Sequence, residues 1–164
     1  VWIHLGHPGP ATVEGVNMAE YELACDLNMH SQLVTTEAAI PHMRERGARS
    51  LVYTASTAGI MGSPMSLVYS MVKHGIVVFV RSLAKRLGPD NIRVNAICPG
   101  PFLTPMNEPI AETEEGKKFI VGAVALARWG RMEEIQGAAI FLASDAASYV
   151  TGSLVTVDGG WTAR

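Results

Sequence analysis

Apolar positions recur at helical spacing most clearly across residues 66–87. There Val68, Val72, Ile76, Phe79, Leu83 and Leu87 follow at intervals of three and four. The spacing predicts a helix with one buried face, ended by Gly88-Pro89. Residues 18–46 also read as helical, with Leu23, Leu27, Val34, Ala38 and Met43 forming a broken apolar stripe and Gly47 as a stop. Short runs at 1–5, 50–54, 92–97 and 154–157 read as strands. Residues 117–128 and 133–142 read as helices, the second with Ile135, Ala139 and Leu142 inward. Residues 101–116 are proline-rich and then acidic, and read as a mobile excursion where a lid could lie. Strands alternating with helices predict an α/β fold, a doubly wound parallel sheet with helices on both faces. No repeat or linker interrupts it, so residues 1–164 read as a single domain.

Composition changes this picture little. The chain has 164 residues, 48% hydrophobic and 17% charged, with a net charge of −2. That balance argues against a nucleic-acid or anionic-membrane partner. No apolar run reaches the length of a membrane span, and no signal peptide is visible. Two cysteines, Cys25 and Cys98, are too few for a disulfide framework and point to a reducing, cytoplasmic setting. The first residue is Val1, which reads as a start that is processed or cut from something longer.

The candidate chemistry lies in residues 56–73. Tyr69 and Lys73 are four apart on the strongest predicted helix, so phenol and ammonium share a face. A neighbouring cation favours the phenolate, and a tyrosine tuned that way can exchange a proton with a substrate oxygen. Ser56, in the loop before the helix, could hydrogen-bond the same oxygen. Alone, a Y-x-x-x-K pair is an ordinary helix-surface pair; its company decides its meaning. In open parallel sheets, ligands sit beyond the carboxyl ends of the strands. Ser56 follows one predicted strand and Pro99-Gly100 the next.

Taken in order, these residues resemble the short-chain dehydrogenase/reductase family over nearly the whole chain, as its C-terminal two thirds. Asn28 in D-L-N, Ser56 in S-T-A-G, Tyr69 with Lys73, the run from Asn95 to Thr104 and the tail from Ser144 to Gly160 carry the resemblance. It implies a Rossmann-like sheet with about four of the usual seven strands, and NAD(P)-dependent interconversion of a secondary alcohol and a ketone. Tyr69 would be the acid or base, with Lys73 lowering its pKa and binding the nicotinamide ribose. Ser56 would hold the substrate oxygen, and Asn28 would order a water that relays protons toward Lys73. Thr104, with the backbone near Pro99 and Gly100, would face the NAD or NADP. A homo-oligomer, dimer or tetramer, is also implied. Val77, Val78 and Leu83 are candidates for its interface.

The departures point the other way. No G-x-x-x-G-x-G turn occurs to cradle a pyrophosphate, and only Gly6-His7-Pro8-Gly9 loosely matches the family's N-N-A-G loop. The alternative is therefore a non-catalytic remnant or association module with an exposed strand edge. Other residues read blandly. His4 and His7 are solvated or loop-packed, and no metal is expected; His74 is a helix-surface histidine, and Cys98 is packed in the interior. Trp129 and Trp161 are packing or interface aromatics that could also line a substrate pocket. Glu112, Glu114 and Glu115 form a solvated face.

Overall fold

The computed structural model describes residues 1–47, 49–105 and 107–163. Four parallel strands form one sheet in the spatial order β1 (Trp2–Ile3), β2 (Ser50–Thr54), β3 (Arg93–Pro99), β4 (Leu154–Val157). The register is continuous: Trp2 lies beside Val52, Val52 beside Asn95, and Ala96 beside Leu154. The period-two alternation of strands sorts side chains onto the two faces. Leu51, Tyr53, Val94, Ala96 and Cys98 join a core with Met43, Ile76, Val77 and Val80. Val52 and Ile97 face the other way, onto Phe102, Ile135 and Leu142. Both sheet faces are therefore covered, as a parallel sheet requires.

The predicted helices form, with adjusted bounds. The strongest is α3 (Leu67–Leu87), whose Val68, Val72, Ile76 and Leu87 are buried as the spacing predicts. By length and composition α3 could cross a membrane, unlike the expectation from the sequence, although its apolar face is spent on the sheet. The earlier helical stretch is divided. α1 (Met18–Cys25) is capped by the Asn17 side chain, which accepts from the Ala19 and Glu20 amides. A π-helical turn (Asp26–His30) follows, then α2 (Ser31–Arg46), ended by Gly47 in a left-handed conformation.

The stripe expected there is corrected. Leu23, Val34 and Ala38 are exposed, whereas Ala24, Asn28, Gln32, Thr36 and Met43 are buried. Apolar periodicity misreads this segment because its inward line is partly polar and each hydroxyl or amide there needs a specific partner. Asn28 and Thr36 find one; Thr36 bonds Tyr53.

The excursion, apart from Met106, which lies outside the described residues, is pinned at its neck. The Leu103 amide donates to Gly130 and the Gly130 amide to Pro101. It carries α4 (Glu108–Ala111) and α5 (Glu114–Ala123), the latter earlier than the helix expected at 117–128. Ala127 takes a positive φ of 52° and turns the chain. Arg128 then makes a two-pronged pair with Glu134, at 2.8 and 2.7 Å, which holds that carboxyl down to about 2. α6 (Gln136–Ala143) completes the second face. β1 is the outer strand, with Val1 and Trp2 exposed, consistent with the exposed strand edge expected from the sequence.

Candidate active site

Ser56 leaves β2 in an extended conformation and begins a tight turn, where its Oγ accepts the Ala58 amide hydrogen at 3.1 Å. The hydroxyl proton is then free, and Ser56 stands near enough to Tyr69 to favour its phenolate. The turn sits hard against α3. A Cβ built on Gly59 would come within 2.6 Å of the Lys73 carbonyl oxygen, so only glycine permits this approach. That contact sets the Ser56 loop beside the first turns of α3, where Tyr69 and Lys73 stand.

Lys73 is 1% exposed. Its Nζ donates to the carbonyls of Thr54 at 3.2 Å and Leu5 at 3.4 Å, and lies 5.4 Å from the centre of the Tyr69 ring. Burial lowers the ammonium to about 8, and Cys98 opposes this weakly. An ammonium has three donors, so one remains for a ligand oxygen. The effect expected on Tyr69 is reversed: burial raises the phenol above its ordinary value, and Ser56 only partly offsets this. Desolvation of the phenolate outweighs a cation that is itself held by backbone carbonyls.

Asn28 is fully buried in the π-helical turn. Its Nδ2 donates to the carbonyls of Ala24 and His7, both at 2.8 Å, and its Oδ1 accepts the His7 amide at 3.4 Å. It thereby holds the loop that follows β1. A Cβ on Gly6 would lie 3.1 Å from Lys73 Nζ and 3.2 Å from Asn28 Oδ1, so both polar groups converge on this glycine.

A cleft of about 230 Å³ brings together Ser56, Tyr69, Lys73, Pro99, Gly100 and Thr104. All the residues expected at the site line it except Asn28, which stands behind Gly6. Sequence reasoning missed His4 here. It was read as solvated or loop-packed, but it lines this cleft, with its Nδ1 2.8 Å from Thr54 Oγ1. Burial and the nearby Lys73 lower its pKa, so it is neutral. Its place directly after β1, at the carboxyl edge of the sheet, was the available signal. Asn107 was also missed and borders this cleft. A second cleft of about 480 Å³ meets the first at Tyr69, with Trp129 and Trp161 in its wall. Cys98 is buried and its thiol is pushed up to about 11, which makes it a packed residue and a poor nucleophile.

The chain matches known proteins over this whole region. A family model described as enoyl-(acyl carrier protein) reductase matches residues 4–162. The chain is 34% identical over 139 residues to 2-dehydro-3-deoxy-D-gluconate 5-dehydrogenase of Bacillus subtilis, covering 85% of this chain and 55% of that protein. It is 34% identical over 152 residues to cyclopentanol dehydrogenase of Comamonas testosteroni, covering 93% and 61% respectively. An NADP-bound structure from Agrobacterium tumefaciens, described as a 2-deoxy-D-gluconate 3-dehydrogenase, superposes with a TM-score of 0.94 at 32% identity; the match covers 99% of this chain and 67% of that one. The chain thus spans little more than half the length of these curated relatives. With the sheet order, the Ser56–Tyr69–Lys73 cleft and these matches in agreement, the chain belongs to the short-chain dehydrogenase/reductase family.

Proposed function

We propose that this chain carries the catalytic half of an NAD(P)-dependent oxidoreductase that interconverts a secondary alcohol and a ketone. The observation that supports the reading most is the junction of two clefts at Tyr69, with Ser56 lining the same cleft and the buried Lys73 ammonium against its ring. The residues present fit the nicotinamide-ribose end of the cofactor. The space beside Gly6 that a Cβ would fill adjoins Lys73, whose third N–H suits a ribose hydroxyl. Pro99, Gly100 and Thr104 wall the same cleft. When bound, the reduced nicotinamide supplies the hydride to the carbonyl carbon. Ser56 holds the carbonyl oxygen, and Tyr69 gives it the phenolic proton as the C=O electrons move onto oxygen. Solvent then reprotonates Tyr69, by way of Lys73 and water near Asn28. Because burial keeps the phenol protonated at neutral pH, the chain favours ketone reduction there, and alcohol oxidation gains as the pH rises.

The substrate is a small neutral or polar molecule, and the setting is cytoplasmic, in keeping with two free thiols. The pyrophosphate end has no glycine-rich turn in this chain. The second reading is a non-catalytic association module. Titration with NADH and NADPH, followed by nicotinamide fluorescence, separates the two. Saturable binding in the millimolar range, about −4 kcal/mol, is expected for a grip on one end of the dinucleotide. A flat trace at that concentration would leave only the second reading.

Self-association is part of the proposal. Of the three residues first considered, Val77 is buried and Leu83 packs on the core; Val78 alone is well exposed, at 62%. Met29, Leu33, Gly75 and Phe79 border an apolar groove between α2 and α3, with Gln32 at its floor. The buried Gln32 amide has no partner among the described residues. A second copy covering this face suits the apolar groove. Leu33→Glu with Val78→Glu is expected to turn a dimer or larger species into monomer in sedimentation. A monomer before substitution would refute this interface.

A further inference from the structure

The larger cleft differs from the smaller one in charge. Its wall is built from the turn that follows Ser56, the excursion and the C-terminal turn. Met61, Met65, Phe119, Trp129 and Trp161 dominate it, and among the described residues no Asp, Glu, Lys, Arg or His lines it. The Ser66 and Asn107 side chains are engaged, and the Trp129 indole N–H has no partner among the described residues. Ser66 Oγ donates to Ser63 Oγ at 2.9 Å, and Asn107 Nδ2 donates to the Phe102 carbonyl at 2.9 Å. Two cations near it are committed elsewhere: Lys73 is in the smaller cleft, and Arg128 is paired with Glu134. Phe119 and Trp161 meet edge to face at 5.4 Å. The C-terminal turn that presents Trp161 is wound on Asp158, whose carboxylate accepts from the Gly160 and Thr162 amides. Met65 and Phe119 are 80% and 56% exposed. Such apolar surface at the rim of a cavity is stabilised when an apolar ligand covers it.

We infer that this cleft selects an uncharged, compact, ring-bearing secondary alcohol or ketone and discriminates against substrates that carry a carboxylate. The inference rests on the oxidoreductase reading for placing the substrate beside Tyr69. The physical reason is desolvation. A carboxylate moved into this cleft loses water and meets no cation among the described residues that line it, and the lone Trp129 indole N–H serves a ketone as well as a carboxylate, whereas a hydrocarbon ring gains contact with indole, phenyl and thioether groups.

The test is a binding comparison that needs no cofactor. Trp2→Phe removes the one tryptophan outside the cleft, so Trp129 and Trp161 report. The probes are 4-methylcyclohexanone and 4-oxocyclohexanecarboxylate, matched in ring and reactive ketone. The neutral ketone is expected to change the fluorescence saturably, and the carboxylate to bind at least about tenfold more weakly. Met65→Arg, at an exposed position, is expected to shrink or invert that ratio. Equal or tighter binding of the carboxylate to the chain with Met65 intact would overturn the inference, as would no saturable response to either probe up to about 20 mM, roughly twentyfold above 1 mM. Selective binding without NADH-dependent turnover would count against the reaction alone. Turnover that prefers the charged ketone would count against the substrate class alone.

Discussion

Tyr69→Phe is expected to lower ketone turnover by about 10²–10⁴-fold, the usual contribution of a positioned proton donor, while NADH affinity stays within about twofold. The substitution removes one oxygen. The ring remains, so the contact with the Lys73 ammonium at 5.4 Å is kept. Loss of the phenol's polar contacts should cost about 1 kcal/mol of stability or less, because Ser56 keeps its bond to the Ala58 amide. Turnover and affinity therefore separate, which a general loss of structure would not allow. Measured side by side, kcat should collapse while the nicotinamide fluorescence titration barely moves. Undiminished kcat would remove Tyr69 as the acid.

Lys73→Met is expected to abolish a rise in stability of about 1 kcal/mol that the unsubstituted chain gains between about pH 8 and pH 9. Burial places the folded ammonium at about 8, below its ordinary 10.5. Between those values the unfolded chain binds more protons than the folded one, so the unfolding free energy climbs with pH. Below about pH 8 both forms are protonated, and the cost of the buried charge is constant. Cys98 acts in the opposite direction. Its folded value is raised to about 11 from 9.0, so its stabilising contribution is present below pH 9 and fades as pH rises toward 11. Comparing the two chains at each pH leaves the lysine's own titration together with its mutual coupling to the Cys98 thiol. Urea midpoints at pH 8 and pH 9 provide the measurement, and parallel slopes would contradict the buried cation. The same substitution should weaken NADH binding and turnover together, because Lys73 is assigned to both ribose and proton relay.

Much of the fold is legible along the chain because both faces of a parallel sheet need apolar cover. The four strands, α3 and the glycine stop at Gly47 all follow from local pattern. The α1–α2 face is not legible that way. Its buried line runs through Asn28, Gln32 and Thr36, and polar groups enter an interior only where tertiary partners await them, which no periodicity records. Likewise, Val77 could be placed on α3 but not assigned to the core side until the sheet was present.

The sequence by itself determined which chemical groups are available. Phenol and ammonium are one turn apart on a helix, and a hydroxyl lies in the preceding loop. Only the tertiary structure decided how those groups behave. Protonation depends on solvation and distance, and both are set by parts of the chain far apart in sequence. Leu5 and Thr54 supply the carbonyls around the lysine, Gly59 lets the serine loop close onto α3, and His4 enters from the first strand. For that reason the direction of the Tyr69 shift, upward through burial, could be found only from the folded chain.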